Sequence, residues 1–198
     1  MSEGLLIVVS GPSGVGKSTV VKEVMKRVEG LVFSISHTTR QPRGKEKNGR
    51  EYYFISREEF KRMVENNEFV EWAEVYGNLY GTSRRELLLR RNEGDVLLDI
   101  DVQGAINIKK LFPESIRILL FPPSMEELLR RLKNRKDTPE EEIKKRVKVA
   151  RWEISRYREF THIVINDELE RAVEDVSAII RGERLRTERM KEKIEGML

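Results

Sequence analysis

The sequence predicts an α/β fold, a parallel sheet covered by helices on both faces, and three observations carry that reading. Short apolar runs recur at Leu5–Ser10, Val96–Ile100, Ile116–Phe121 and His162–Ile165, and none alternates with polar residues, as strands buried on both faces require. Segments with helical patterning separate these runs. The first run leads straight into Gly11-Pro12-Ser13-Gly14-Val15-Gly16-Lys17-Ser18-Thr19, a strand–loop–helix passage that matches G-x-x-x-x-G-K-[ST].

Each part of that passage has its own task. The glycines let the backbone curl so that successive N–H groups point inward at phosphate oxygens. Lys17 supplies a mobile ammonium for the β- and γ-phosphates, and Ser18 places a hydroxyl where a Mg²⁺ ligand is needed. The helix that starts at Lys17 carries Val20, Val21, Val24, Met25 and Val28 at helical spacing, so its positive N-terminal end faces the nucleotide. The passage predicts binding of ATP or GTP.

The later helices announce themselves by their caps. Ser56 with Glu59, Ser83 with Glu86, and Ser124 with Glu127 have capping-box spacing, and Thr138 is followed by Pro139 and Glu141. These signals place helices at about 57–66, 84–92, 125–136 and 139–158, with a last one over 168–182 entered through Asp167. Residues 34–82 differ: Ser, Thr, Arg, Pro and Gly give way to aromatics, which predicts a small mixed β insertion. Within it, Tyr53, Phe54 and Trp72 are expected in the core. Residues 125–158 form a second, basic helical excursion, and the charged tail 183–198 is a solvated helix or a frayed end.

Composition excludes several classes. The chain has 198 residues, enough for one α/β domain with insertions. It has no cysteine, which removes disulfides, thiolate metal sites and cysteine nucleophiles and favours a cytoplasmic home. No run approaches the roughly twenty apolar residues of a membrane span, and Met1-Ser2-Glu3-Gly4 is not the basic start of a signal peptide. Net charge is +4, but acidic residues interleave with basic ones, so charge alone does not separate nucleic acid from small polyphosphates as partners. His37 and His162 are far apart, without ligand spacing, and read as ordinary polar residues.

A phosphate loop names the donor and leaves the acceptor open. In the insertion, Ser36-His37-Thr38-Thr39-Arg40-Gln41-Pro42-Arg43-Gly44 sets two arginines three apart around a proline, a clamp for a phosphate dianion. Tyrosine hydroxyls further on can complete such a site, and a carboxylate with small hydroxyls can read a base edge. Glu46 and Glu68 suit a surface or a site equally.

At these residues the chain resembles the guanylate kinase family. The likeness includes the phosphate loop, the run at 36–46, Tyr52-Tyr53-Phe54, Glu68-Phe69-Val70-Glu71-Trp72, Tyr80-Gly81-Thr82, Asp99-Ile100-Asp101-Val102-Gln103-Gly104 and Ile165-Asn166-Asp167. It spans about 4–182. The resemblance implies a P-loop NTPase three-layer parallel-sheet core (about 4–33, 83–124 and 159–182), a small mixed β GMP-binding insertion (about 34–82), a helical lid (about 125–158) and the tail.

The resemblance also implies roles. Arg40, Arg43, Tyr52 and Tyr80 match residues that bind the GMP phosphate, and Ser36, Glu71, Thr82 and Asp101 match those that address guanine. Guanine presents N1–H and N2–H₂ side by side, from which one carboxylate such as Glu71 can accept twice; adenine has no donor at N1. Arg131, Arg135 and Arg146 match lid arginines that swing over the donor phosphates, Asn166 matches a residue at the adenine edge, and Arg151 divides evenly between lid and surface. Lys136 departs from the glycine common in the family after the lid arginine.

Asp99 and Asp101 end an apolar strand where open α/β sheets bind ligands. One of them can serve Mg²⁺ through water, and Asp99 can equally cap the following helix. The implied activity is ATP:GMP phosphotransfer, with dGMP as a further acceptor, in purine nucleotide metabolism in the cytoplasm. Lys17, Arg40, Arg131, Arg135 and Arg146 are its catalytic set, and Mg²⁺ accompanies ATP. The implied partners are small molecules only, without nucleic acid or membrane, for a monomer or small homo-oligomer. Two rivals are a kinase acting on a ribose bisphosphate, against which Ser36, Glu71 and Thr82 argue, and a non-catalytic scaffold module, against which the intact phosphate loop argues.

Overall fold

The computed structural model describes residues 4–133 and 140–197. Its main sheet is made of β1 (Leu6–Ser10), β2 (Leu31–Phe33), β7 (Asp95–Asp99), β8 (Ile116–Phe121) and β9 (His162–Ile165), all parallel, in the order β2-β7-β1-β8-β9. Four of these strands are the apolar runs of the sequence. The fifth, β2, escaped it because its three residues are only half-buried at the sheet edge.

Side chains of the central strand alternate between two cores, which makes the three layers. Ile7 and Val9 pack with Val20, Val21 and Val24 of α1 (Lys17–Arg27) and with Val173, Val176 and Ile180 of α7 (Leu169–Arg184). Leu6 and Val8 pack with Leu87 of α3 (Arg84–Glu93) and with Ala105 and Ile108 of α4 (Val102–Leu111). All of these side chains are fully or almost fully buried, and each of the larger ones contributes about 1.5–3 kcal/mol on leaving water. Register sets Val9 beside Asp99 and Ser10 beside Leu119, so the strand ends that feed the site are level.

The insertion folds as a second, mixed sheet: β3 (His37–Thr38), β4 (Tyr53–Phe54), β5 (Phe69–Val75) and β6 (Asn78–Ser83), in the order β4-β3-β6-β5, with α2 (Arg57–Glu65) against it. The ring of Phe60 on α2 stacks on Phe69 at 4.5 Å. A β-bulge between Phe69 and Glu71 shifts the phase of β5, which turns Glu71 and Ala73 inward and Trp72 outward. Trp72 is therefore 43% exposed rather than core, and Tyr53 and Phe54 are half-buried at a short edge strand.

Ser56, Ser83 and Ser124 accept hydrogen bonds from the N–H groups of Glu59, Glu86 and Glu127, as their spacing predicts. The cap of α4 is Asp101, which accepts from Gly104 N–H at 3.0 Å, and not Asp99. Asp167 accepts from Glu168 N–H but is not the cap residue of α7. The lid region contains α5 (Met125–Lys133) and α6 (Glu140–Ser155), the latter followed by a short 3₁₀ turn at Tyr157–Glu159. The start signal at Thr138-Pro139, together with Arg135 and Lys136, lies outside the described residues. The tail forms α8 (Thr187–Glu195). No described helix is long and apolar enough to cross a membrane.

Candidate active site

A cleft of about 400 Å³ opens at the C-terminal ends of β1 and β7, between the loop Gly11–Gly16 and the second sheet. The loop is bent through Gly14 and Gly16, at φ 90° and 96°. A Cβ on Gly16 would stand 2.6 Å from the Asn166 amide nitrogen, so glycine is needed there for space as well as backbone angle.

Lys17, Ser18 and Thr19 form the first turn of α1, with Ser18 and Thr19 exposed toward the cleft mouth. Lys17 Nζ lies 2.8 Å from the Asp99 carboxylate and donates to the Ile100 carbonyl at 2.6 Å. Burial alone would lower the Lys17 pKa, but Asp99 outweighs it and the net direction is up, so the ammonium stays charged. Two of its three protons are then engaged, and the third is left for a ligand.

Val15 is fully buried and can serve a ligand through its backbone alone. Its carbonyl accepts from Asn166 Nδ2 at 2.6 Å and from Arg131 at 3.3 Å. Arg131 also donates to the Asn166 carbonyl and pairs with Glu127. Asn166 and Arg131 thus brace the phosphate loop from behind; neither lines the cleft as it stands. Arg146, on α6, does line it, donating to Ser13 Oγ at 3.4 Å while its guanidinium sits 5.1 Å from the Tyr76 ring centre. Glu142 holds the other edge of that guanidinium. Arg151 is exposed on the same helix.

Across the cleft, Glu71 is 5% exposed and accepts from the Thr82 hydroxyl at 2.7 Å. Burial pushes its carboxyl up to about 7, with the Thr82 bond opposing and Asp101 reinforcing. A Cβ on Gly104 would lie 2.6 Å from Glu71 Oε2, so the first turn of α4 leaves room for that carboxylate by having no side chain there. Ser36 and Asp101 line the same end, and buried Thr82 reaches it through Glu71.

Tyr52 and Tyr80 meet edge to face with ring centres 5.9 Å apart, and both line the cleft with Arg43. Arg40 stands behind them. It is 9% exposed, over the Tyr52 and Phe54 rings, and its guanidinium is paired with Glu46 at 2.9 Å and 3.0 Å. Glu46 also accepts from Arg43 N–H, so one carboxylate organises the two-arginine segment. Glu68 accepts from Asn66 on the exposed surface.

Glu46, which suits a surface or a site equally in the sequence, is the partner of Arg40, a pairing the sequence does not show. Glu153, on α6, lines the cleft at 7% exposure; seven residues after Arg146, it shares that helix face. His37 is a ring in the second sheet's aromatic cluster, 4.8 Å from Tyr53, and burial lowers its pKa.

A family model described as guanylate kinase matches residues 3–183. A guanylate kinase of Caldanaerobacter subterraneus subsp. tengcongensis is 50% identical over 191 residues, covering 96% of this chain and 93% of that protein. One of Thermotoga maritima is 46% identical over 194 residues, covering 98% and 94%. The crystal structure of guanylate kinase from Anaplasma phagocytophilum superposes with a TM-score of 0.81 at 37% identity, over 98% of this chain and 95% of that one. With a phosphate loop at one wall of the cleft, a buried carboxylate at the other and relatives of this similarity over nearly its whole length, the chain belongs to the guanylate kinase family.

Proposed function

We infer that the cleft transfers the γ-phosphoryl group of ATP to GMP, giving ADP and GDP. The relatives named guanylate kinase support the reaction. The observation in this chain that carries the acceptor is Glu71, a buried carboxylate hydrogen-bonded to Thr82 and facing a phosphate loop.

ATP binds with its phosphates in the loop Gly11–Gly16 against Lys17, and with its adenine edge toward the Asn166 side. GMP binds with guanine between Ser36, Glu71 and Asp101. Its phosphate lies at Tyr52, Tyr80 and Arg43, with Arg40 joining from behind them. The acceptor oxygen is already anionic near neutral pH, so no general base is required. The work is to align two polyanions and to neutralise the transferring group, which Lys17, Arg146 and, on closure, Arg131 and Arg135 supply. Closure of the α5–α6 region excludes water, which would otherwise hydrolyse ATP.

Mg²⁺ fits this donor set. Among the described residues no cluster of three acidic or histidine side chains could hold a cation alone, and Mg²⁺ typically rides on substrate phosphates with one or two protein oxygens and several waters. Ser18 would hold it directly, and Asp99 or Asp101 through water; when bound it screens the charge of the phosphates. dGMP presents the same base and phosphate and is a second acceptor. The reaction belongs to purine nucleotide metabolism, in the cytoplasm where these nucleotides are found. One chain supplies both walls of the cleft, so a monomer or small homo-oligomer suffices, with no role for nucleic acid or membrane.

The test is ADP release from Mg·ATP with GMP, AMP, CMP and UMP offered separately. GMP alone should drive turnover; equal turnover with AMP or a pyrimidine nucleotide would overturn the reading.

A further inference from the structure

Glu153 takes no part in the transfer step, yet it lines the cleft and is 7% exposed. It projects from α6 on the face that carries Arg146. Its Oε2 atom is buried without a hydrogen-bond partner, and among the described residues its side chain forms no ion pair. Burial pushes its carboxyl up to about 7, Lys17 opposing and Asp101 adding to the shift. An enclosed, unpaired carboxylate destabilises the empty protein, so its presence at a cleft wall points to a donor that arrives with a ligand.

The chemistry of the cleft narrows that donor. Phosphate oxygens offer no proton and repel a carboxylate. Lys17 is already held by Asp99 and the Ile100 carbonyl. The N–H edge of guanine faces Glu71 on the opposite wall. Glu153 lines the same cleft as Lys17 and Ser18, at the phosphoryl end, and Asp101, at the base end, so a ligand that spans those ends passes its carboxylate. The part of a bound nucleoside monophosphate that spans phosphate and base is the sugar, and its hydroxyls are neutral donors.

We propose that Glu153 is a substrate-binding residue that accepts a hydrogen bond from a ribose hydroxyl of the acceptor nucleotide. The proposal rests on the reading of this cleft as the GMP site. It gives α6 two functions on one face, with Arg146 meeting phosphate and Glu153 meeting sugar. Closure of that helix is thereby tied to an acceptor that carries a sugar hydroxyl, which GMP and dGMP both do.

The experiment compares kcat/KM for GMP and for 2′,3′-dideoxy-GMP in the wild type and in Glu153→Met, which keeps the length of the side chain and removes its acceptor. The wild type should prefer GMP by about tenfold or more, the worth of a hydrogen bond to a charged group. In Glu153→Met that preference should fall close to one, because GMP loses and the dideoxy acceptor does not. If Glu153→Met does not fold, the same ratio is read on Glu153→Leu, which also lacks an acceptor, where narrowing supports the proposal and constancy overturns it. An equal loss for both acceptors would make Glu153 a structural residue of the helix and overturn the proposal. A loss repaired by raising Mg²⁺ would place it on a metal-bound water and overturn it too. A wild type that releases no ADP with GMP would overturn the cleft reading itself, and this proposal with it.

Discussion

Glu71 and Thr82 face each other across β5 and β6, and the Thr82 hydroxyl donates to one carboxylate oxygen at 2.7 Å. Thr82 thereby fixes the orientation of a buried acceptor whose second oxygen rests on Gly104. The bulge before Glu71 is what brings the two into register.

Glu71→Gln keeps the shape of this pair and replaces an acceptor with a donor facing guanine N–H. GMP should lose about 1–3 kcal/mol, the usual cost of a buried unsatisfied group. IMP, which lacks the 2-amino group, should lose less. The GMP-to-IMP ratio of kcat/KM reads this directly, and a ratio unchanged from wild type would show that Glu71 does not read the base.

Lys17→Ala removes the ammonium and leaves Asp99, 13% exposed, without its partner. Turnover should fall by about 10²-fold or more, since a preorganised charge on the transferring group is lost. The circular dichroism spectrum should be unchanged. Near wild-type kcat in a folded Lys17→Ala protein would remove the phosphate loop from the mechanism.

Arg40→Ala should weaken GMP by roughly 2–5 kcal/mol if the guanidinium leaves Glu46 for the phosphate, as a desolvated charge partner does. Glu46→Gln separates the two roles of the pair: it loosens the segment that carries Arg43 but keeps the cation. Titration calorimetry should give a larger loss for Arg40→Ala than for Glu46→Gln. The reverse order would make the pair a structural clasp.

Glu71 and Glu153 both have folded pKa values near 7, above the 4.5 of an ordinary glutamate. Between these values the folded protein holds more protons than the unfolded chain, so their contribution to stability is full below about pH 4.5 and is lost as pH rises through about 7. The span is at most about 3.5 kcal/mol for each carboxyl. Melting temperatures from pH 5 to 8 should fall less steeply in the Glu71→Gln, Glu153→Gln double variant than in the wild type; parallel profiles would contradict the shifts. GMP selects the ionised form of Glu71, so its affinity should drop as pH falls below about 7, with proton release on binding.

What the sequence revealed and what it hid follow the range of the interactions. The loop at 11–19 and the caps at Ser56, Ser83 and Ser124 are written within a few neighbouring residues, and local spacing was enough to place them. β2 depends on pairing with β7, more than sixty residues away, and three half-buried residues carry no periodicity of their own. Trp72 looked like core because aromatics usually are, but a bulge of one extra residue between Phe69 and Glu71 reversed which side of β5 faces inward. Asp99 and Asp101 are both acids at a strand end; only the fold shows that one caps α4 while the other holds Lys17. Glu153 lies among the many charges of α6; its seven-residue spacing from Arg146 shows in the sequence, but its burial against the cleft wall does not.

The products of the reaction test phosphoryl transfer to GMP most directly. Purified protein, equimolar ATP and GMP, and Mg²⁺ should be followed by phosphorus NMR. ADP and GDP should appear together in equal amounts, with no build-up of inorganic phosphate, and both should vanish when GMP is replaced by AMP. Inorganic phosphate in place of GDP, or ATP left intact beside GMP, would contradict it.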